Sequence, residues 1–126
     1  MSPIQVLVVD DEPLIRWSVS ETLADLGMKV QQAVDAASAL RAIEATVVPL
    51  NVIVLDLRLP DMDDLTLLSA IRQRLPKTPV ILMTAFGTPE VVADARDLGV
   101  VDILSKPFEM AELRRVVLAA GGATAS

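Results

Sequence analysis

Five short apolar segments alternate along the chain with five segments whose apolar residues recur at helical spacing. This alternation restricts the fold more than any other feature of the sequence. The strand-like segments cover residues 4–9, 29–34, 52–55, 79–83 and 100–104. Strands that alternate with helices across short connections form a parallel sheet with helices on both faces, joined by right-handed crossovers. The sequence therefore predicts a doubly wound α/β fold of five βα units.

Local signals indicate where several helices begin and end. Pro13 suits the first turn of the first helix, and Gly27 is the expected C-cap of the same helix. Asp35 is the predicted N-cap of the second helix, and Thr88 is that of the fourth.

One domain accounts for the length of 126 residues. The apolar residues are mainly aliphatic, with only 2% aromatic residues, which suits buried parallel strands. Gly121 is predicted to end the fifth helix, so residues 121–126 are expected to form a flexible tail or the start of a linker. The domain is thus predicted to cover residues 1–120.

Missing residue types and the net charge exclude several classes of function. The chain contains no Cys and no His, which excludes disulfides, thiolate nucleophiles, Cys or His zinc sites and a phosphohistidine. A net charge of −6 argues against direct contact with nucleic acid. No apolar run approaches the roughly 18 residues of a membrane span, and the N-terminus shows no signal peptide. We therefore expect a cytoplasmic protein.

Polar residues occupy the carboxyl ends of the predicted strands. Asp10 and Asp11 end the first strand, Asp56 the third and Thr84 the fourth, and Lys106 follows the fifth. Ligands of an open parallel sheet bind at these ends, beside the point where the strand order reverses. In a sheet of order 2-1-3-4-5 the first and third strands flank that point, so the three carboxylates are expected to lie close together.

Three neighbouring carboxylates repel one another, and a hard divalent cation such as Mg²⁺ would relieve that repulsion. A metal, a lysine and a hydroxyl beside a carboxylate suit phosphoryl transfer onto that carboxylate. Each residue also has a simpler interpretation. Asp11 could cap a helix, Thr84 could make a local hydrogen bond, and Lys106 could be a solvated charge; their coincidence at one edge favours the site.

Four segments resemble the receiver domain of two-component response regulators, and the resemblance extends over essentially the whole chain. They are VLVVDDEP at 6–13, VIVLDLRLPDMD at 52–63, ILMTAFG at 81–87 and DILSKPF at 102–108. The resemblance implies a flavodoxin-like fold and a signalling switch rather than an enzyme. Its phosphoryl group would come from a sensor histidine kinase or a phosphotransfer protein. MTAFGTPE at 83–90 is similar to receivers of nitrogen-regulation-type transcription activators.

The same resemblance implies a role for each residue of the acidic edge. Asp56 would accept the phosphoryl group. Mg²⁺ would be held by Asp10, Asp11, Asp56 and the backbone carbonyl of Arg58. Lys106 would pair with the phosphoryl group, and its bond to the following proline is expected to be cis.

Thr84 and Ile103 are the implied switch residues. Thr84 would move toward the phosphoryl group, and the change would be read out on the surface of the fourth helix, fifth strand and fifth helix, where a homodimer could form. Ile103 stands where the family usually has Tyr or Phe, so an aromatic rotation cannot follow Thr84. Ile103 could instead fill the space that Thr84 vacates, or it could be a core residue of its strand.

One further residue departs from the family pattern. Asp64 stands where the family usually has Gly, and Phe86 and Arg58 could restrict the water that hydrolyses the acyl phosphate.

Three other functions are alternatives to that of a receiver. An aspartyl-phosphatase-type enzyme would need a second Asp where Arg58 stands, and a flavin-binding domain would need a Ser/Thr/Gly-rich loop after the first strand. A degenerate receiver that acts as an interaction module independently of phosphorylation is the remaining alternative.

Overall fold

The computed structural model describes residues 3–62, 65–85 and 87–125, and within these ranges it contains five strands and five helices in strict alternation. The strands are β1 (Gln5–Val9), β2 (Lys29–Ala33), β3 (Val52–Asp56), β4 (Val80–Thr84) and β5 (Asp102–Ser105). The helices are α1 (Pro13–Ala24), α2 (Ala36–Ala45), α3 (Thr66–Arg74), α4 (Pro89–Asp97) and α5 (Met110–Ala125). All neighbouring strands pair in parallel in the order β2-β1-β3-β4-β5, which confirms the predicted topology.

Each face of the sheet carries its own apolar layer. Side chains of a strand point alternately to the two faces, so Leu7 and Val9 belong to one layer and Val6 and Val8 to the other. The first layer is completed by α2, α3 and Ala95 of α4, and the second by α1 and α5. The central strands β1, β3 and β4 are almost entirely apolar because both of their faces are buried. The edge strand β2 is partly exposed and carries Lys29, Gln31 and Gln32.

The opposite placement of α1 and α3 creates the crevice at the carboxyl edge of the sheet. Helix α1 follows β1 and packs on the second layer, whereas α3 follows the neighbouring strand β3 and packs on the first. The two connections leave the sheet edge in opposite directions, which is the arrangement that opens a binding crevice in doubly wound folds.

Most of the predicted helix signals are confirmed. Asp35 accepts a hydrogen bond from Ser38 N, and Thr88 accepts one from Val91 N. Gly27 has a positive φ of 84° just beyond the end of α1.

The predicted start of the fifth strand was wrong by two residues. The strand begins at Asp102, because the Val100 N–H bonds back to Ala95 O and so belongs to the C-terminal turn of α4.

The predicted end of the fifth helix at Gly121 was also wrong, because α5 continues to Ala125. A Cβ at Gly121 would lie 3.0 Å from Cγ2 of Ile4, so this glycine permits close contact between α5 and the chain just before β1. The assignment of residues 121–126 to a tail or linker stays a prediction.

The connection between α3 and β4 is held by one guanidinium. Nη1 of Arg72 donates to Leu75 O at 3.0 Å and to Pro76 O at 3.1 Å, and Nη2 donates to Thr78 O. These carbonyls follow the C-terminus of α3, where the helix itself offers no donors. The side chain of Arg72 therefore satisfies polar groups of the chain as it turns from α3 into β4.

We expect Arg72→Met to destabilise the protein by about 1–3 kcal/mol, because three carbonyls lose a charged donor. Chemical denaturation measures the change. Arg74→Met is the matched control, since Arg74 lies on the surface of the same helix and pairs with Glu44 at 3.4 Å; its expected cost is about 0.5 kcal/mol or less. Equal effects of the two substitutions would contradict this role of Arg72.

Candidate functional site

The carboxyl ends of the inner strands and of β5 bring the predicted polar residues together. Asp10 directly follows β1, Asp56 ends β3 and Thr84 ends β4, and all three are buried. Lys106 directly follows β5, and its Nζ lies 3.2 Å from Oδ2 of Asp10 and 3.2 Å from Oδ2 of Asp56. One ammonium group thus bridges two buried carboxylates at the sheet edge where the polar residues were expected to meet.

Both the side chain and the backbone of Asp10 are held by hydrogen bonds. Its Oδ1 accepts from Glu12 N at 2.8 Å, and its backbone N–H donates to Ala33 O at 3.1 Å. Nη1 of Arg16 donates to Asp10 O at 2.9 Å. The bond from Glu12 N and the ion pair with Lys106 compensate the fully buried carboxylate, and this compensation is needed because an unpaired charge in the interior is costly.

Arg16 and Glu12 are site residues that the sequence analysis missed. Arg16 lies one turn into α1, with its N–H bonded to Glu12 O, and its side chain reaches back to the end of β1. Glu12 adds a carboxylate oxygen 3.6 Å from Nζ of Lys106. The position of Arg16, four residues or about one helical turn after Glu12, is the signal that could have pointed to it.

Lys106 is oriented by its backbone as well as by its ion pairs. Its N–H donates to Thr84 O at 2.8 Å, which continues the β4–β5 pairing to the site. The Lys106–Pro107 peptide bond is cis, as predicted.

Three carboxylates form a cluster that fits a hard cation. Asp10, Asp11 and Asp56 each offer one oxygen, and these oxygens all lie within 4.8 Å of one another. Carboxylate oxygens are the ligands that Mg²⁺ prefers. The N–H of Arg58 donates to Oδ1 of Asp56 at 3.3 Å, so the backbone of Arg58 also lies beside the cluster.

An open cavity of about 370 Å³ adjoins the cluster and gives it access from outside. Asp11 and Asp56 line it together with Thr84 and Arg58, whereas Asp10 is fully covered. Glu12 lines it as well, so a group that enters this cavity meets three carboxylates and a hydroxyl residue.

The electrostatics of the site oppose the charge on Asp56. Burial and the neighbouring Asp10 carboxylate raise the pKa of Asp56 to about 6, although Lys106 and the Arg58 N–H act in the opposite direction. Burial also disfavours the charge on Lys106, but Asp10 and Asp56 outweigh it and raise the pKa of the ammonium above its ordinary value. The metal-free site thus holds more negative charge than one lysine stabilises.

The family follows from a comparison with known sequences. The profile of the response regulator receiver domain matches residues 6–118. The chain belongs to this family. Receiver domains accept phosphoryl groups, bind Mg²⁺ at an acidic pocket, and interact with histidine kinases or phosphotransfer proteins.

Two curated relatives illustrate which proteins contain similar receiver domains. The DNA-binding transcriptional regulator NtrC of Escherichia coli is 40% identical over 107 residues, which are 85% of this chain and 22% of NtrC. The response regulator protein PilR of Pseudomonas aeruginosa is 35% identical over 120 residues, which are 95% of this chain and 26% of PilR. The chain therefore spans about a quarter of the length of these relatives.

Solved structures agree with the fold and with the resemblance to nitrogen-regulation proteins. The receiver domain of NtrX from Brucella abortus is 35% identical, with a TM-score of 0.84 over 93% of this chain and 98% of that one. A CheY-like receiver domain protein from Methanospirillum hungatei is 25% identical, with a TM-score of 0.91 over 98% of this chain and 97% of that one. Within the described residues of this chain, no helix has the length and apolar character needed to cross a membrane.

Ile103 and Thr84 lie on the same face of the sheet. Ile103 pairs with Leu82, two residues before Thr84, and its partly buried side chain packs against the first apolar layer. Both interpretations of Ile103, as a switch residue and as a core residue, therefore stay open. The predictions for Asp64 and Phe86 concern residues that lie outside the described ranges.

In the presence of a chelator, we expect Asp56→Asn to stabilise the receiver by on the order of 2 kcal/mol at pH 7.5. Because the pKa of Asp56 is higher in the folded than in the unfolded protein, the folded state binds more protons between about pH 4 and about pH 6. The wild type therefore loses stability as the pH rises from about 4 to about 6. The advantage of the variant should therefore shrink at pH 4.5. Denaturation at both pH values measures it, and a variant less stable than wild type at pH 7.5 would contradict the prediction.

Proposed function

We propose that Asp56 accepts a phosphoryl group from the phosphohistidine of a sensor kinase or phosphotransfer protein. The observation that carries this proposal is the position of Asp56. It lines the open cavity, belongs to the three-carboxylate cluster, and lies 3.2 Å from Nζ of Lys106. Asp10 has the same lysine but is fully covered, and Asp11 is exposed at the rim.

The reaction is an in-line displacement at phosphorus. An oxygen of the Asp56 carboxylate forms the new P–O bond while the P–N bond to the donor imidazole breaks, and the nitrogen keeps the electron pair. Mg²⁺, held by Asp10, Asp11, Asp56 and the backbone carbonyl of Arg58, would neutralise charge on the phosphoryl oxygens. No general base is needed, because a carboxylate already carries the attacking electron pair.

Lys106 and Thr84 act on the product. The ammonium of Lys106 pairs with a phosphoryl oxygen once the charge of Asp56 has become part of the acyl phosphate. The Thr84 hydroxyl donates to another oxygen, which moves this side chain toward the phosphoryl group. The first consequence is a change at the ends of β4 and β5, which are joined by the bond from Lys106 N to Thr84 O.

The output is proposed from the relatives. NtrC is a DNA-binding transcriptional regulator by name, and this chain covers only its receiver portion. We therefore propose that the surface of α4, β5 and α5 transmits the effect of phosphorylation to a transcription output. We also propose that two copies of the protein form a homodimer through that surface. Cytoplasmic location and the lack of direct contact between this domain and nucleic acid also stay predictions.

Intact mass spectrometry after incubation with acetyl phosphate and Mg²⁺ tests the proposal. We expect the wild type to gain one phosphoryl group, because the donor needs only the acceptor carboxylate, Lys106 and the metal. Asp56→Asn should gain none, and neither should wild type with a chelator. Asp97→Asn, on the outer part of α4, is the matched control and should gain the group as wild type does.

An adduct that survives Asp56→Asn would place the acceptor elsewhere and contradict the proposal. If wild type binds Mg²⁺ but gains no phosphoryl group from acetyl phosphate or from a kinase, the degenerate interaction module becomes the better account. The departure at Ile103 is the observation that favours that second candidate.

A further inference from the structure

The loop between β3 and α3 carries a carboxylate that binds the N-terminus of a different helix. Oδ1 of Asp61 accepts from Ala36 N at 2.8 Å, and Oδ2 accepts from Ala37 N at 3.1 Å. These residues are 25 and 24 positions apart in the chain. Both oxygens of one side chain therefore bond adjacent amides in the first turn of α2.

Helix α2 already has an N-cap of its own. Asp35 accepts from Ser38 N at 2.8 Å, and Oγ of Ser38 accepts from Asp35 N at 3.2 Å. Together with Asp61, these side chains accept hydrogen bonds from all four backbone N–H groups of residues 35–38, which form the N-terminus of α2. Asp61 thus connects a fully capped helix end to the β3–α3 loop, and its negative charge suits the helix dipole.

The loop that Asp61 anchors also contains Arg58. Leu59 and Met62 exchange two backbone hydrogen bonds, of 3.1 Å and 3.2 Å, around Pro60 and Asp61. The side chain of Leu59 is buried in the first apolar layer. Arg58, the residue before Leu59, donates its N–H to Asp56. Four residues therefore lie between the acceptor Asp56 and the anchor Asp61, and the Leu59–Met62 turn closes this short connection.

We propose that Asp61 is a positioning residue for metal binding and phosphorylation. By tying the β3–α3 loop to α2, it holds the backbone of Arg58 beside the acidic cluster. This inference rests on the proposed function, in which the carbonyl of Arg58 is a ligand of Mg²⁺. The competing explanation is that Asp61 only stabilises α2.

Mg²⁺ titration by calorimetry separates the two explanations, using Asp61→Ala and Asp35→Ala. Both substitutions remove one carboxylate from the same helix end, so both should lower the denaturation midpoint. Asp35 belongs to the β2–α2 connection, and the described part of the β3–α3 loop makes no hydrogen bond with it. We expect Asp61→Ala to weaken Mg²⁺ binding by about tenfold, the size of effect seen for residues that orient metal ligands, and Asp35→Ala to leave it unchanged.

Asp61→Asn distinguishes a positioning role from the loss of a charge alone. It also replaces Asp61→Ala in the titration if the alanine variant fails to fold. Its amide oxygen keeps one of the two bonds to α2, so its Mg²⁺ affinity should lie between those of Asp61→Ala and wild type. Amide hydrogen exchange without metal should accelerate at Leu59 in Asp61→Ala but not in Asp35→Ala. Equal losses of affinity in the asparagine and alanine variants would overturn the proposal.

The outcomes also separate this inference from the proposed function. If wild type binds Mg²⁺ and Asp61→Ala binds it equally well, only the positioning role fails. If wild type does not bind Mg²⁺, the proposed function fails and this inference fails with it.

Discussion

Repulsion between buried carboxylates at one edge of the sheet is the constraint on which the rest of the site depends. Asp10 and Asp56 both approach Lys106 within 3.2 Å, and Asp11 adds a third carboxylate to the cluster. In the metal-free pocket, burial and the Asp10 carboxylate raise the pKa of Asp56, and the single ammonium group of Lys106 offsets this only in part. A divalent cation removes this imbalance, and a phosphoryl group changes it again. The same imbalance links metal binding, phosphorylation and stability.

The fold creates this constraint by separating apolar from polar groups along each strand. The central strands β3 and β4 are buried along their whole length and carry the apolar layers, so the charged groups of the site lie at the carboxyl ends of the sheet. Parallel pairing then places these ends side by side, and the opposite courses of α1 and α3 leave the crevice open. The N–H groups of Glu12 and Arg58 bond the carboxylates of Asp10 and Asp56, and Arg16 bonds the backbone carbonyl of Asp10, so these acidic residues are held close together.

The alternation of strands and helices and the polar residues at the strand ends could be predicted because they follow from short-range patterns, whereas the strand order was implied by the resemblance to receiver domains. Apolar runs ending in Asp or Thr identify strand ends, and a parallel sheet brings such ends together. The contact between Asp61 and α2 could not be predicted, since it joins two turns that are 25 residues apart and have no periodic pattern. The end of α5 was predicted wrongly at Gly121 for a related reason. A glycine after an apolar stripe resembles a C-cap, whereas here it permits contact with Ile4.

The titration of the Asp56 side chain tests the central claim most directly. Carboxyl ¹³C NMR of the metal-free protein, with Asp56→Asn to assign the signal, gives its pKa without perturbing the site. We predict a value of about 6, and a marked decrease when Mg²⁺ is added, because the cation favours the charged form. An ordinary pKa of about 4 in the absence of metal, or a value that Mg²⁺ does not change, would contradict the account.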